Sequence, residues 1–171
     1  MKGLAFEREF WYYDTIIFLL KMKECSVVIP ADFRFNASLR NISECAFAYA
    51  GFGNRAIQRL VLVFDELFMN AIKYGSDGPE DSIHIFFEWE EGEYIRVRIE
   101  DEGKQLSRTA AEELKKKMNK EFLNHNPSKS SGRGLAQIVL NLTDDLQIIQ
   151  SSFGGISVTF MKKVSLSENE D

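Results

Sequence analysis

The sequence predicts a two-layer α/β sandwich, with a mixed, mainly antiparallel sheet packing its apolar face against helices. Three observations predict it. A long segment, about 55–74, repeats apolar residues every three and four positions. Two runs around a Glu91-Gly92 turn alternate apolar and polar residues. A second pair of short apolar runs closes the chain around Phe153-Gly154-Gly155.

Each element follows in order. Residues 1–24 read as an N-terminal extension. Phe10 to Tyr13 and Ile16 to Leu20 are too apolar for a solvated tail, which leaves packing on the domain's own core or on a second copy in a homodimer. Ser26–Ile29 reads as a short strand stopped by Pro30. Asn36 or Ser38 is placed to cap a helix ending near Ala50, with Leu39, Ile42, Ala46, Phe47 and Ala50 on one face. Gly51-Phe52-Gly53 ends it, and Asn54 is placed to cap the next helix. On that helix Ile57, Leu60, Val61, Phe64, Leu67, Phe68 and Ala71 form the apolar stripe, and Gly75 is the stop. Ile83, Ile85, Phe87 and Trp89, then Ile95, Val97 and Ile99, form the buried face of a hairpin. Residues 104–131 turn polar, with a short amphipathic helix near Thr109–Phe122. Leu135–Leu142 reads as a helix, and Leu146–Ser151 and Ile156–Lys162 as a closing hairpin. Residues 165–171 form a polar tail, so the globular domain spans about 25–164.

Composition narrows the function. The chain has 171 residues, one domain's worth, and 14 phenylalanines predict an aromatic core. A formal charge of −5 and no basic block argue against direct nucleic-acid binding. No segment has the length or flanks of a membrane span or targeting signal. The two cysteines, Cys25 and Cys45, have no metal-ligand spacing and read as ordinary buried thiols of a cytoplasmic protein.

Three clusters carry possible chemistry. On the long helix, Glu66 and Asn70 are four residues apart and share a face. A carboxylate there can deprotonate a hydroxyl or water, and an amide oxygen suits Mg²⁺. Lys73, about a turn further on, is within reach of a phosphate. Next, Asp101-Glu102-Gly103 ends a strand: a carboxylate can accept from an exocyclic amine such as that of adenine, and a glycine lets backbone approach a flat ligand. Last, Gly132, Arg133, Gly134 and Leu135 open a helix, where free backbone N–H groups can hold phosphate. Taken singly, these clusters have ordinary explanations: a solvated helix face, a β-turn and a flexible loop.

Their order and spacing resemble the N box and the two glycine boxes of the histidine kinase-like (GHKL) ATPases, with 104–131 in the place of the ATP lid. The similarity covers roughly residues 26–163. It is strongest to the anti-sigma-factor serine/threonine kinases, which share the Asp65-Glu66…Asn70-Ala71 helix, the short hairpin and a segment like Val27-Val28-Ile29-Pro30, and which lack phosphoacceptor-histidine helices. The resemblance implies the GHKL fold and phosphoryl transfer from Mg·ATP to a serine or threonine of a small anti-anti-sigma (STAS-type) protein, with a sigma factor as a second partner. It assigns Glu66 as base, Asn70 as Mg²⁺ ligand, Asp101 as adenine anchor, Gly103 as the opening for the base, and Gly132, Arg133 and Gly134 as phosphate holders.

The chain departs from the family pattern at Gln105, where a second glycine is usual. It departs again at Ala136-Gln137 after the second glycine box, and at Ile156, where the family often has threonine near the adenine. These departures keep two alternatives in view. One is a partner-sequestering module, with or without nucleotide and without kinase activity. The other is the catalytic domain of a histidine kinase-type enzyme.

Overall fold

The computed structural model describes residues 22–103, 139 and 141–165. The helices α1 (Asn36–Ala50) and α2 (Asn54–Gly75) follow strand β1 (Met22–Pro30); β2 (Ser82–Glu90), β3 (Tyr94–Asp101), β4 (Asp145–Gln150) and β5 (Ile156–Lys163) complete the sheet. The strand order is β1-β2-β3-β5-β4. Every pairing is antiparallel, so the sheet of the described residues is fully antiparallel rather than mixed. Among the described residues, two complete helices cover one face of the sheet. Val139, Asn141 and Leu142 are also helical and mark the end of the expected 135–142 helix, the rest of which lies outside the described residues.

The apolar phases place the core as read. Ile83, Ile85, Phe87 and Trp89 of β2 and Ile95, Val97 and Ile99 of β3 are buried together with Leu60, Val61, Phe64, Leu67 and Phe68 of α2. Five phenylalanines, Phe47, Phe64, Phe68, Phe87 and Phe160, are fully buried. Phe64 stacks near Phe68 at 6.2 Å and near Phe87 at 5.7 Å, so the aromatic core joins helix to sheet.

Local chemistry sets the turns. Gly51 ends α1 at φ 98°, a left-handed conformation that glycine adopts without strain, and its N–H donates to Ala48 O and Phe47 O. Gly92, at φ 78°, turns the β2–β3 hairpin, and its N–H donates to Ala50 O at 2.9 Å, tying that turn to the end of α1.

Four local expectations are corrected. β1 is longer than read: it starts at Met22, within the segment taken as an extension, and keeps Pro30, which an edge strand tolerates because its missing N–H faces outward. Neither Asn36 nor Ser38 caps α1. Its cap is Phe35, without a side-chain bond, and Asp32 instead accepts from Arg34 N–H at the preceding 3₁₀ turn. Asn54 likewise is the first residue of α2, behind a Gly53 cap with no side-chain bond. Both cysteines are exposed. Cys45 falls on the side of α1 opposite Phe47, and Cys25 lies near the start of an edge strand.

Candidate functional site

Asp101 is the fixed point. It ends β3 with its side chain turned to the helix face, 3% exposed. Ile156 N–H donates to its Oδ1 at 3.1 Å, and Gly155 N–H donates to its backbone carbonyl at 3.2 Å. Three glycines make room. A Cβ on Gly75, at the end of α2, would overlap the Asp101 carboxylate on its Oδ2 side; one on Gly155 would overlap Oδ1. One on Gly103 would overlap the carbonyl of Gly75. Gly75 therefore ends α2 for a reason beyond helix termination: the carboxylate lies against it. Gly103 has a packing reason too, since β3 passes the last carbonyl of α2 at backbone contact.

Burial pushes the Asp101 carboxyl up to about 6 and Asp81 adds to the rise, while the N–H groups of Ile156 and Gly103 pull against it. A buried carboxylate held by backbone N–H groups and packed between glycines is an acceptor of fixed orientation.

Glu66, Asn70 and Lys73 stand on α2 upstream of Gly75. Glu66 and Lys73 are exposed and Asn70 is half-buried. Along the helix axis Asn70 lies about 7 Å, and Glu66 about 13 Å, from Gly75. Glu66 and Asn70, four residues apart, share a side of the helix, and Gly75 ends it against Asp101. Lys73 Nζ sits 4.9 Å from the centre of the Tyr74 ring. Asp65, beside Glu66, pairs with Arg40 of α1 at 3.1 Å; burial raises its carboxyl above the usual range. Gly132, Arg133, Gly134 and Leu135, and the 104–131 segment read as a lid, lie outside the described residues.

The sequence reading missed several residues that complete this region. Gly75 was read only as a stop, although its position next to the strand-end aspartate was a signal. Ile156 acts through its backbone N–H, to which side-chain identity gives no clue. Glu102 accepts from Ser82 N–H at 3.2 Å and lies 2.6 Å from His84 Nε2, which holds its carboxyl below the usual value. The His84 ring in turn stacks on Phe153 at 3.8 Å. Two clefts among the described residues lie elsewhere. One is bounded by Asp144, Met161, Lys162, Lys163 and Ser165; another is on the outer sheet face by Cys25, Phe86 and Arg98; neither includes Asp101.

Residues 29–162 match the family described as histidine kinase-like ATPase domain. No curated protein matches the chain. Among solved structures, it is similar to the RsbU and RsbW domains of Rv1364c from Mycobacterium tuberculosis, with a TM-score of 0.53 and 15% identity. That likeness covers 82% of this chain but 31% of the other and is a likeness of fold. Among the described residues no helix is long and apolar enough to cross a membrane.

Proposed function

We propose, from the premise that this chain belongs to the histidine kinase-like ATPase domain family, that it binds Mg·ATP and transfers the γ-phosphate to a serine or threonine hydroxyl of a small regulatory protein, in the manner of anti-sigma-factor kinases. The observation that carries the reading is the buried Asp101 carboxylate, seated at the end of the helix that bears Asn70 and Glu66. The donor set fits the ligands. Asp101 offers a desolvated acceptor for the amine of adenine, its carboxylate packed between Gly75 and Gly155. Asn70 offers a hard oxygen to Mg²⁺. Bound there, the ion would neutralise phosphate charge.

Glu66 takes the proton from the acceptor hydroxyl as its oxygen forms a bond to the γ-phosphorus and the bond to the β-phosphate oxygen breaks, leaving ADP and a phosphoester. The exposure of Glu66 suits a base that must reach another protein's side chain. Lys73 can shift from the Tyr74 ring to a phosphate, and Gly132, Arg133 and Gly134 would hold the remaining phosphate oxygens. The resemblance of the Asp65-Glu66…Asn70-Ala71 helix and its neighbours to anti-sigma-factor kinases is what supports a small STAS-type acceptor, a sigma factor as alternative partner, and cytoplasmic location.

The test is calorimetric titration with Mg·ATP, followed by transfer of labelled γ-phosphate to STAS-type candidates. Binding with acid-stable label on a serine or threonine is the expected result. Acid-labile label on histidine would point to a histidine kinase-type domain. Partner capture without transfer, with or without nucleotide, would make the chain a sequestering module, a role for which Gln105 and Ile156 speak.

A further inference from the structure

Glu100 and Asp101 are consecutive, so strand alternation sends their side chains to opposite faces of β3. Both are buried, at 2% and 3% exposure. Glu100 faces away from the helices, where alternation alone would leave it in solvent. It is covered by the turn between β4 and β5, residues 151–155, which wraps the end of β3. A buried carboxylate is a poor way to fill space, since its desolvation has to be offset by partners. Here the partners are plain. Glu100 Oε2 accepts from Ser151 Oγ at 2.8 Å, Ser152 N–H at 3.3 Å and Ser152 Oγ at 3.4 Å. Its other oxygen pairs with the Arg98 guanidinium.

From Ser151 the bonds run on through the turn. Ser151 Oγ accepts from Phe153 N–H at 2.9 Å, and Ser151 N–H donates to Gly155 O at 2.9 Å. Gly155 and Ile156 then donate to the carbonyl and to Oδ1 of Asp101. The bonds leave one carboxylate, follow the turn, and arrive at its neighbour on the other side of the sheet.

We propose that Glu100 is the positioning residue for Asp101: it ties down the 151–155 turn so that Ile156 N–H holds Oδ1 and fixes the orientation of the carboxylate that meets the nucleotide base. The inference rests on the ATP reading above, and it extends that reading to how the site selects adenine. Guanine offers a carbonyl where adenine offers an amine, so discrimination depends on Asp101 being held as a charged acceptor in one orientation.

The variants are Glu100→Gln, which keeps shape but loses the charge that Ser151, Ser152 and Arg98 share, and Ser151→Ala, which cuts the chain at its second member and leaves Glu100 in place. Three readouts are taken on the full chain: hydrogen exchange of the Gly155 and Ile156 amides, titration of the Asp101 carboxyl carbon by NMR, and affinities for ATP and GTP. Asp81 is the charged group that acts on Asp101 from the β2 side, and His84, Arg98 and Glu102 are the charged or titratable groups near the turn; neither variant replaces any of them.

The expected result is faster exchange at both amides and a higher Asp101 midpoint, because the donor that favours the charged form is loosened. ATP affinity should fall roughly tenfold, with a smaller fall for GTP. Lower thermal stability with the amide exchange, the Asp101 midpoint and the ATP-to-GTP ratio all unmoved would reduce Glu100 to a structural residue and overturn the proposal. A wild type that binds no ATP would instead remove the nucleotide reading, while exchange and titration, which need no ligand, would still decide whether Glu100 holds Asp101.

Discussion

The two ends of the candidate site are built in different ways. The Asp101 end is tertiary: a buried carboxylate, three close-packed glycines and a turn from a distant hairpin meet at one point. The Glu66 end is a helix face: Glu66 is exposed, Asn70 is half-buried, and Asp65 beside them pairs with Arg40 of α1. A group whose orientation must be fixed in advance, to select a base, is surrounded; a group that must reach a second protein is left open. Mutations at the two ends should therefore separate into those that change folding and binding and those that change rate alone.

Glu66→Gln gives the sharpest separation. Transfer should fall by about 10²–10⁴ while ATP affinity holds and unfolding free energy stays within about 0.5 kcal/mol of wild type. Single-turnover assays beside urea denaturation measure both, and wild-type transfer would break the comparison at its catalytic end. Asn70→Ala should differ from it by losing Mg²⁺-dependent affinity as well.

Gly103→Ala should give the opposite pattern. The added Cβ meets the Gly75 carbonyl, and backbone cannot turn away as a side chain can, so stability should drop by about 1–3 kcal/mol. An unchanged denaturation midpoint would mean that β3 and α2 do not meet as described.

Asp101→Asn should match Gly103→Ala in size but act on binding. ATP binding should weaken by about 1–3 kcal/mol as the charged acceptor is lost. Stability at neutral pH should not drop, since a carboxylate whose pKa is raised in the fold is itself a cost when ionised. Equal affinity for ATP would remove Asp101 from the site.

The smallest effect is with pH, and it runs two ways. The Asp101 carboxyl titrates at about 6 in the fold against 3.8 for the unperturbed group. Its contribution to stability is therefore fully present below about 3.8 and is lost as pH rises through about 6. ATP affinity, which needs the ionised form, should fall as pH drops below about 6. Thermal melts and titrations from pH 5 to 7 should slope in opposite directions, and parallel slopes would rule out Asp101 as the titrating group.

Much of this was legible in the sequence where the signal is periodic. The stripe of Leu60, Phe64, Leu67 and Phe68 and the alternation of Ile83, Ile85 and Phe87 each match a burial pattern set by local geometry. The exposure of Cys45 was legible too, since it is out of phase with Phe47, but residue type outweighed helical phase in the reading. The extra length of β1 was not, because Met22–Ser26 carries no alternation and pairs only because Phe86–Glu90 lies alongside. Nor was the burial of Glu100. Alternation assigned it to solvent correctly as to face, and a turn from fifty residues later closed over it. Asp101 stood out as a motif, while the groups that hold it are backbone atoms and glycines whose meaning appears only on contact.

The adjacency of Glu100 and Asp101 constrains how the chain can vary over time. Because each neighbour on β3 belongs to a different side of the sheet, inserting or deleting one residue in the strand would exchange their surroundings: the aspartate's slot would receive its neighbour, and both bonding sets would fail together. Related chains should accept changed letters around this point far more readily than a changed count. Length itself is the inherited quantity in the stretch from Tyr94 to Gly103.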